Sequence, residues 1–245
     1  MSNGILGQDP RLPLYQQVRE EILARIAAGQ WLPGAPIPTE TELTRLYGVA
    51  IGTVRKAVDT LVNEGLLLRS QGRGTFVRRP DFEGSLFRFF RQVDSTGQRL
   101  VPISRILDKQ LREPPAEVSA ALGLDDAEQV IWLERLRLVD GRPLFHEQIW
   151  LPAARFMALL DIDADAFGDL LYPFYESHCG QCVASAKETL TVGTADAASA
   201  RHLAIEEGAP VVIIQRTALG YDRNPLEYRV SQAAAEGFRY QIDIS

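Results

Sequence analysis

Two groups of basic side chains in this sequence are spaced to hold anions. The first is Thr53, Arg55 and Lys56 at the start of a helical pattern, followed by Arg69 and the glycine-rich stretch Gln71-Gly72-Arg73-Gly74. Small and cationic groups in a helix's first turn can reach phosphates and base edges, and the helix N-terminus itself favours an anion. The second group is Arg135 and Arg137, two residues apart in a strand pattern and therefore on one face. Two guanidiniums side by side repel unless something anionic sits between them. Glu147 and Glu227 are candidates for that partner, or for acceptors aimed at a ligand.

Other chemistry finds less support. Cys179-Gly180-Gln181-Cys182 has the spacing of a redox pair or of half a zinc site, yet a zinc site needs two more ligands. His178 adjoins the pair too closely to close a tetrahedron, and His146 and His202 lie far off in sequence. The expectation is two partly buried thiols near a turn, no metal site and no cofactor. Neither a G-x-S-x-G elbow nor a P-loop occurs, so no nucleophile or phosphate-transfer motif is present.

The elements that position these groups follow from length and charge. A chain of 245 residues with 46% hydrophobic and 24% charged residues can bury two compact cores. No stretch of eighteen apolar residues and no charged-then-apolar leader occurs, so a cytoplasmic protein without membrane attachment is expected. The net charge of -6 is uneven. Residues 1–80 hold ten Lys and Arg against seven Asp and Glu, whereas the remainder holds 16 against 25. Such a basic head on an acidic body suggests that only the head touches a polyanion.

Within the head, Leu14, Val18, Ile22 and Ile26 step by four along one helix stripe. Thr39 can cap a second helix, with Glu42 three residues on to return the bond, and Gly48 closes it. Arg45 on that short helix joins the basic set. A third helix runs from about Gly52 to Glu64 with Val54, Val58, Leu61 and Val62 inward, and Gly65 stops it. Leu66 to Arg69 and Thr75 to Val77 then read as two strands around a glycine-rich tip, a wing. Cap, turn glycine, basic helix start and hairpin come in the order a winged helix-turn-helix needs.

The segments Pro13-Leu14-Tyr15-Gln16, Pro38-Thr39-Glu40, Thr53-Val54-Arg55, Glu64-Gly65-Leu66 and Gln71-Gly72-Arg73-Gly74-Thr75-Phe76-Val77 resemble the DNA-binding domain of GntR-type bacterial transcription regulators. That resemblance implies that Glu40 starts the second helix, that Thr53 and Arg55 contact DNA, and that Gln71-Gly72 reaches the minor groove. Where the family usually has Ser or Thr followed by Arg, this chain has Ala50-Ile51. A guanine-reading arginine, worth about 1–3 kcal/mol of discrimination, is therefore missing, and with it a helix cap.

The acidic body contains a repeat. Leu122, Leu124, Val130, Ile131, Leu133, Arg135 and Leu138 recur 81 residues later, and after one inserted residue Asp140, Pro143 and Leu144 recur 82 later. Each copy reads helix, strand, turn, strand: Ala116 to Leu122 with Val130 to Trp150, then Asp196 to Ala204 with Val211 to Ala233. Two hairpins joining one antiparallel sheet with helices over it give an α+β domain. A strict two-residue Asp140-Gly141 loop pairs Glu147 with Glu134, on the face away from the arginines. A three-residue bulged loop, Val139 to Gly141, puts it beside them.

Leu122-Gly123-Leu124, Glu134-Arg135-Leu136-Arg137, Asp140-Gly141-Arg142-Pro143-Leu144, Leu151-Pro152 and Pro225-Leu226-Glu227-Tyr228 resemble the UTRA effector-binding domain of HutC-like GntR regulators, whose fold is related to chorismate lyase. The resemblance implies that Arg135, Arg137, Glu147, Tyr172 and Glu227 line a pocket for a small anionic or polar metabolite. Leu170 stands where a Ser is common, and Ala233 and Ala234 replace an aromatic and an arginine, which favours a smaller or less polar carboxylate over a phosphosugar. The expected organisation is a winged helix-turn-helix domain over 1–78, a linker over 79–84 and an effector domain over 85–245. The expected function is a repressor that binds a palindromic double-stranded operator as a homodimer. The alternative is a lyase-like enzyme with an attached interaction module.

Overall fold

The computed structural model describes residues 11–79, 97–98 and 100–241. Of the expected linker, residues 80–84 lie outside them. The chain divides into two compact units, one formed mainly by residues 1–80 and the other by most of the rest.

In the first unit, α1 (Leu14–Ala27), α2 (Glu40–Tyr47) and α3 (Ile51–Asn63) precede a two-stranded hairpin of β1 (Leu67–Ser70) and β2 (Gly74–Val77). Its core joins Val18, Ile22, Leu23 and Ile26 of α1 to Leu43 and Tyr47 of α2 and to Val54, Ala57, Val58 and Leu61 of α3. Leu14, the first helical residue, is exposed, and Leu23, which is outside the four-residue step, is buried with the stripe. The capping box is present: the Glu42 amide donates to Thr39 Oγ1 at 3.3 Å, and the Thr39 amide donates to Glu42 Oε2 at 2.8 Å. That bond, together with the Thr39 hydroxyl, holds the Glu42 carboxyl below its ordinary pKa. Gly48 ends α2 at φ 65°, a left-handed conformation that glycine adopts without penalty.

The second unit is a six-stranded antiparallel sheet in the order β3-β4-β5-β8-β7-β6. Its strands are β3 (Ile103–Arg112), β4 (Val130–Val139), β5 (Arg142–Pro152), β6 (Val183–Thr194), β7 (Pro210–Gly220) and β8 (Pro225–Ala234). Helix α4 (Ala116–Leu122) lies between β3 and β4 in sequence, and α7 (Ala197–Leu203) lies between β6 and β7. The duplication is thus longer than the sequence pattern indicated, each copy being strand, helix, strand, strand. Copies related in this way put β5 and β8 together at the centre.

One sheet face carries Ile131, Leu133, Ile149 and Leu151, packed under Phe156, Leu159, Phe167, Leu171 and Tyr175. These covering residues belong to the connection between the copies, which includes α5 (Ala153–Phe156) and α6 (Leu171–Cys179). The other face is covered by the two repeat helices. Val118 and Leu122 of α4 pack on Val130, Trp132, Trp150 and Tyr228, while Ala200 and Leu203 of α7 pack on Val211.

Candidate functional site

The basic face of the first unit is built on α3 and the hairpin. Val54, Ala57, Val58 and Leu61 turn one side of α3 inward, which leaves Arg55 and Lys56 on the outside. Arg45, Arg69, Gln71, Gly72, Arg73 and Gly74 are exposed as well, and Thr53 is half-buried. Glu40, at the first position of α2, is half-buried and joins two of these arginines. Arg55 Nε donates to its Oε2 at 3.0 Å, and Arg69 Nη2 donates to its Oε1 at 2.9 Å. Arg69 also pairs with Asp59 at 2.7 Å. Glu40 therefore holds the guanidiniums of the helix and of the wing in a fixed relation. The Lys56 ammonium lies 4.0 Å from the centre of the Tyr15 ring, a cation–π contact that steers its stem. At the tip, Gly72 and Gly74 take φ 72° and 116°, which a side chain there would strain. Helix α3 starts from Ala50 with no side-chain cap.

In the second unit, β4 and β5 turn through Asp140 and Gly141, both at positive φ, as a two-residue hairpin requires. This is not the three-residue loop considered above. The extra residue is Leu144, within β5, and it shifts the register so that Arg135 faces Glu147 across the ladder. In the second copy Leu226 is the extra residue, at the repeat-related position, and Ala218 faces Glu227. The paired bulges bring the charged residues of both hairpins to the face packed under α6.

Arg135 Nε donates to Glu147 Oε2 at 2.5 Å, and the Ser231 hydroxyl donates to Glu147 Oε1 at 2.9 Å. Arg229 Nη2 donates to Glu227 Oε2 at 2.7 Å, and its Nη1 lies 3.7 Å from Glu147. Tyr172 and Tyr175 of α6 donate to the two oxygens of Glu227 at 3.2 and 2.8 Å. Arg216 Nη1 reaches Tyr172 Oη at 3.3 Å, and its Nε donates to Glu188 at 2.6 Å. Arg137 Nη2 donates to the Pro102 carbonyl at 3.3 Å. Arg135, Arg137, Glu147, Tyr172 and Glu227, the five positions expected to line a pocket, are all buried on this one face.

Burial alone would push the Glu147 carboxyl up, but the attraction of Arg135, then of Arg229 and Arg137, holds it at about 2. Arg137 is lowered to about 9 by burial and by repulsion from Arg135, so it stays charged at neutral pH. Burial also raises the hydroxyls of Tyr172 and Tyr175, which remain protonated donors. Arg135, Arg137, Arg216 and Arg229 gather here with the carboxylates of Glu147, Glu188 and Glu227, and Asp169 acts on Arg137. Arg135, only 1% exposed, has both terminal nitrogens, Nη1 and Nη2, buried without a hydrogen-bond partner. Unsatisfied buried donors on a guanidinium are what an anion would complete.

Sequence reading missed Arg216, Arg229, Tyr175 and Ser231 as members of the cluster. The repeat contained the signal, since Arg216 is the counterpart of Arg135, and Arg229 is that of Glu147. Arg135 with Glu147 in one copy thus corresponds to Arg216 opposite Arg229 in the other. Cys179 and Cys182 are unbridged and half-buried at the end of α6, and burial raises the Cys179 thiol. No described helix is long and apolar enough to cross a membrane.

Residues 14–77 match the family of bacterial regulatory proteins called gntR, and residues 97–239 match the UTRA domain family. Over 232 residues the chain is 32% identical to the HTH-type transcriptional repressor NagR of Bacillus subtilis, covering 94% of this chain and 93% of that protein. It is 30% identical over 239 residues to the HTH-type transcriptional regulator GgaR of Escherichia coli K12, covering 96% and 92%. Among solved structures, the ligand-binding domain of a GntR-family regulator from Bordetella bronchiseptica superposes with a TM-score of 0.59 at 26% identity, covering 64% of this chain and 98% of that one. PhnF from Mycobacterium smegmatis shares the fold with a TM-score of 0.54 at 24% identity, covering 93% and 99%. These families and relatives are transcription regulators, not enzymes, which sets aside the lyase-like reading. The chain belongs to the GntR family of bacterial DNA-binding transcription regulators and carries that family's UTRA domain.

Proposed function

We propose that this protein is a cytoplasmic homodimeric repressor whose hold on a palindromic operator is set by a small anionic metabolite. Residues 1–78 act as the DNA-binding domain, 79–84 as the linker and 85–245 as the effector domain. On the operator, α3 enters the major groove with Thr53, Arg55 and Lys56. Arg45, Arg69 and Arg73 contribute charge, and the Gln71–Gly74 tip follows the minor groove. Glu40 belongs to the same DNA-binding face and orients Arg55 and Arg69 on it. A single head covers only a few base pairs, so useful affinity needs two heads on one site.

The observation that carries the effector reading is the pair of buried, unpartnered nitrogens on Arg135. A planar carboxylate matches that fork bidentately. Glu147, Glu227 and Tyr172 then offer polar atoms to the rest of the molecule. NagR and GgaR are relatives over nearly the whole chain. Leu170 and Ala233, apolar where the family commonly has polar or aromatic side chains, favour a compact carboxylate over a phosphosugar. Because Arg135 is closed from solvent, the covering connection must move for a ligand to reach it, and an effector shifts the protein only by preferring the moved arrangement.

The test is a paired substitution. Arg55→Ala is expected to weaken operator binding in a gel shift while leaving thermal stabilisation by the effector acid intact. Arg135→Ala is expected to keep operator binding and lose its response to the acid. Equal loss of both activities in either variant overturns the division of labour, and a monomer on the operator in sedimentation overturns the dimer.

A further inference from the structure

On the sheet face opposite the arginines, Glu134 of β4, His146 of β5 and His202 of α7 converge. His146 Nε2 lies 2.9 Å and His202 Nε2 3.7 Å from the same Glu134 oxygen, and the three candidate ligand atoms all fall within 4.8 Å of one another. In a tetrahedral zinc site with bonds near 2.0 Å, neighbouring ligand atoms stand about 3.3 Å apart, and the two measured separations straddle that value. The imidazoles stack with centroids 4.7 Å apart, so both rings present their edges to the same carboxylate. His146 Nδ1 faces the Ser199 hydroxyl at 3.2 Å, and the Ser199 amide is itself held by Asp196 at 2.7 Å. Such a contact on one ring nitrogen fixes the orientation of a metal-binding imidazole and turns the other nitrogen to the ion.

The repeat supplies a comparison within the same chain. The positions related to Glu134, His146 and His202 are Gln215, Tyr228 and Ala121. There Gln215 Nε2 donates to Tyr228 Oη at 3.0 Å and to Glu117 at 2.9 Å, and Tyr228 also donates to Glu117. A hydrogen-bonded amide and phenol thus satisfy the sheet at that place. Two imidazoles and a carboxylate on the other half are not demanded by the fold.

We propose that Glu134, His146 and His202 form a binding site for a first-row transition-metal dication, Zn2+ being the best matched. Two imidazoles and one carboxylate suit zinc in chemistry and in number when a fourth position is left to water. His146 also lines a cavity of about 290 Å³ with Gln148, Trp150 and Gln232, so space for water adjoins the otherwise buried ring. The ion ties α7 to the paired strands β4 and β5, on which the helix otherwise rests by packing and by the Ser199–His146 contact.

The experiment uses full-length, tag-free, chelator-stripped protein in which Cys179→Ser and Cys182→Ser remove the competing thiols. Equilibrium dialysis against zinc chloride with metal analysis is expected to give one Zn2+ per chain and a raised melting temperature. Co2+ in its place is expected to give the intense visible bands of a tetrahedral site. His202→Ala and Glu134→Gln should each weaken zinc binding at least tenfold, whereas His178→Ala, at an exposed histidine elsewhere, should not. Binding well below one ion per chain, a pale octahedral cobalt spectrum, or unchanged affinity in His202→Ala overturns the proposal and leaves the three residues a structural hydrogen-bond triad. The paired Arg55 and Arg135 tests are independent of this outcome.

Discussion

Replacing Glu147 with Gln keeps the shape of the side chain and removes one negative charge from among Arg135, Arg137 and Arg229. A carboxyl held at about 2 instead of its ordinary 4.5 contributes about 3 kcal/mol to folding when ionised. The folded value is depressed, so this contribution is complete above pH 4.5 and is lost as pH falls toward 2. Breaking a buried pair by removing one partner costs about 3–5 kcal/mol, because the remaining charges stay buried and uncompensated. At pH 7, Glu147→Gln is therefore expected to lose about 3–5 kcal/mol in urea unfolding followed by fluorescence, with Trp132 and Trp150 reporting on this sheet. Between pH 4.5 and 2 the gap between the two proteins should close, since the native carboxylate is being protonated. A loss under about 1 kcal/mol at pH 7, of the size expected for a solvated surface pair, with an unchanged gap at low pH, would refute the charge accounting of this cluster.

Three further outcomes concern the first unit. Glu40→Gln frees Arg55 and Arg69 from their shared anchor, so operator affinity should fall about tenfold, or 1.4 kcal/mol. Affinity for random DNA should hold or rise, since a negative charge has left the interface; competition gel shifts read both. Ala50→Ser supplies the cap that α3 lacks and should raise the stability of this unit by about 1 kcal/mol in thermal unfolding. Gly74→Ala has open space around it but a φ of 116°, so its expected loss of about 1–3 kcal/mol comes from the backbone alone; no change in melting temperature would show that the wing relaxes freely.

The first unit was legible because each of its devices is local. A capping box, a turn glycine and a four-residue apolar step are all decided within a few residues, and Thr39, Glu42 and Gly48 do in space what their spacing indicated. The salt link from Glu40 to both Arg55 and Arg69 was not legible, because its partners lie 15 and 29 residues away. In the second unit the hairpins were readable from their repeat, whereas β3 and β6 were not. Strand β6 is exposed along most of its length, so it carries only a weak alternation of apolar and polar residues.

The bulge shows how one residue separates a structural reading from a functional one. Were Leu144 paired in the ladder rather than bulged out of it, the Asp140-Gly141 turn would put Glu147 opposite Glu134, on the face where His146 now lies. With Leu144 bulged, every residue of β5 beyond it changes face relative to β4, Glu147 meets Arg135, and His146 meets Glu134. The arginine–glutamate cluster on one side of the sheet and the histidine cluster on the other therefore depend on the same bulge. Leu226 plays the same part for Glu227 and Arg229 in the second copy. Register, set at two points in two hairpins, decides which chemistry each face of this sheet can perform.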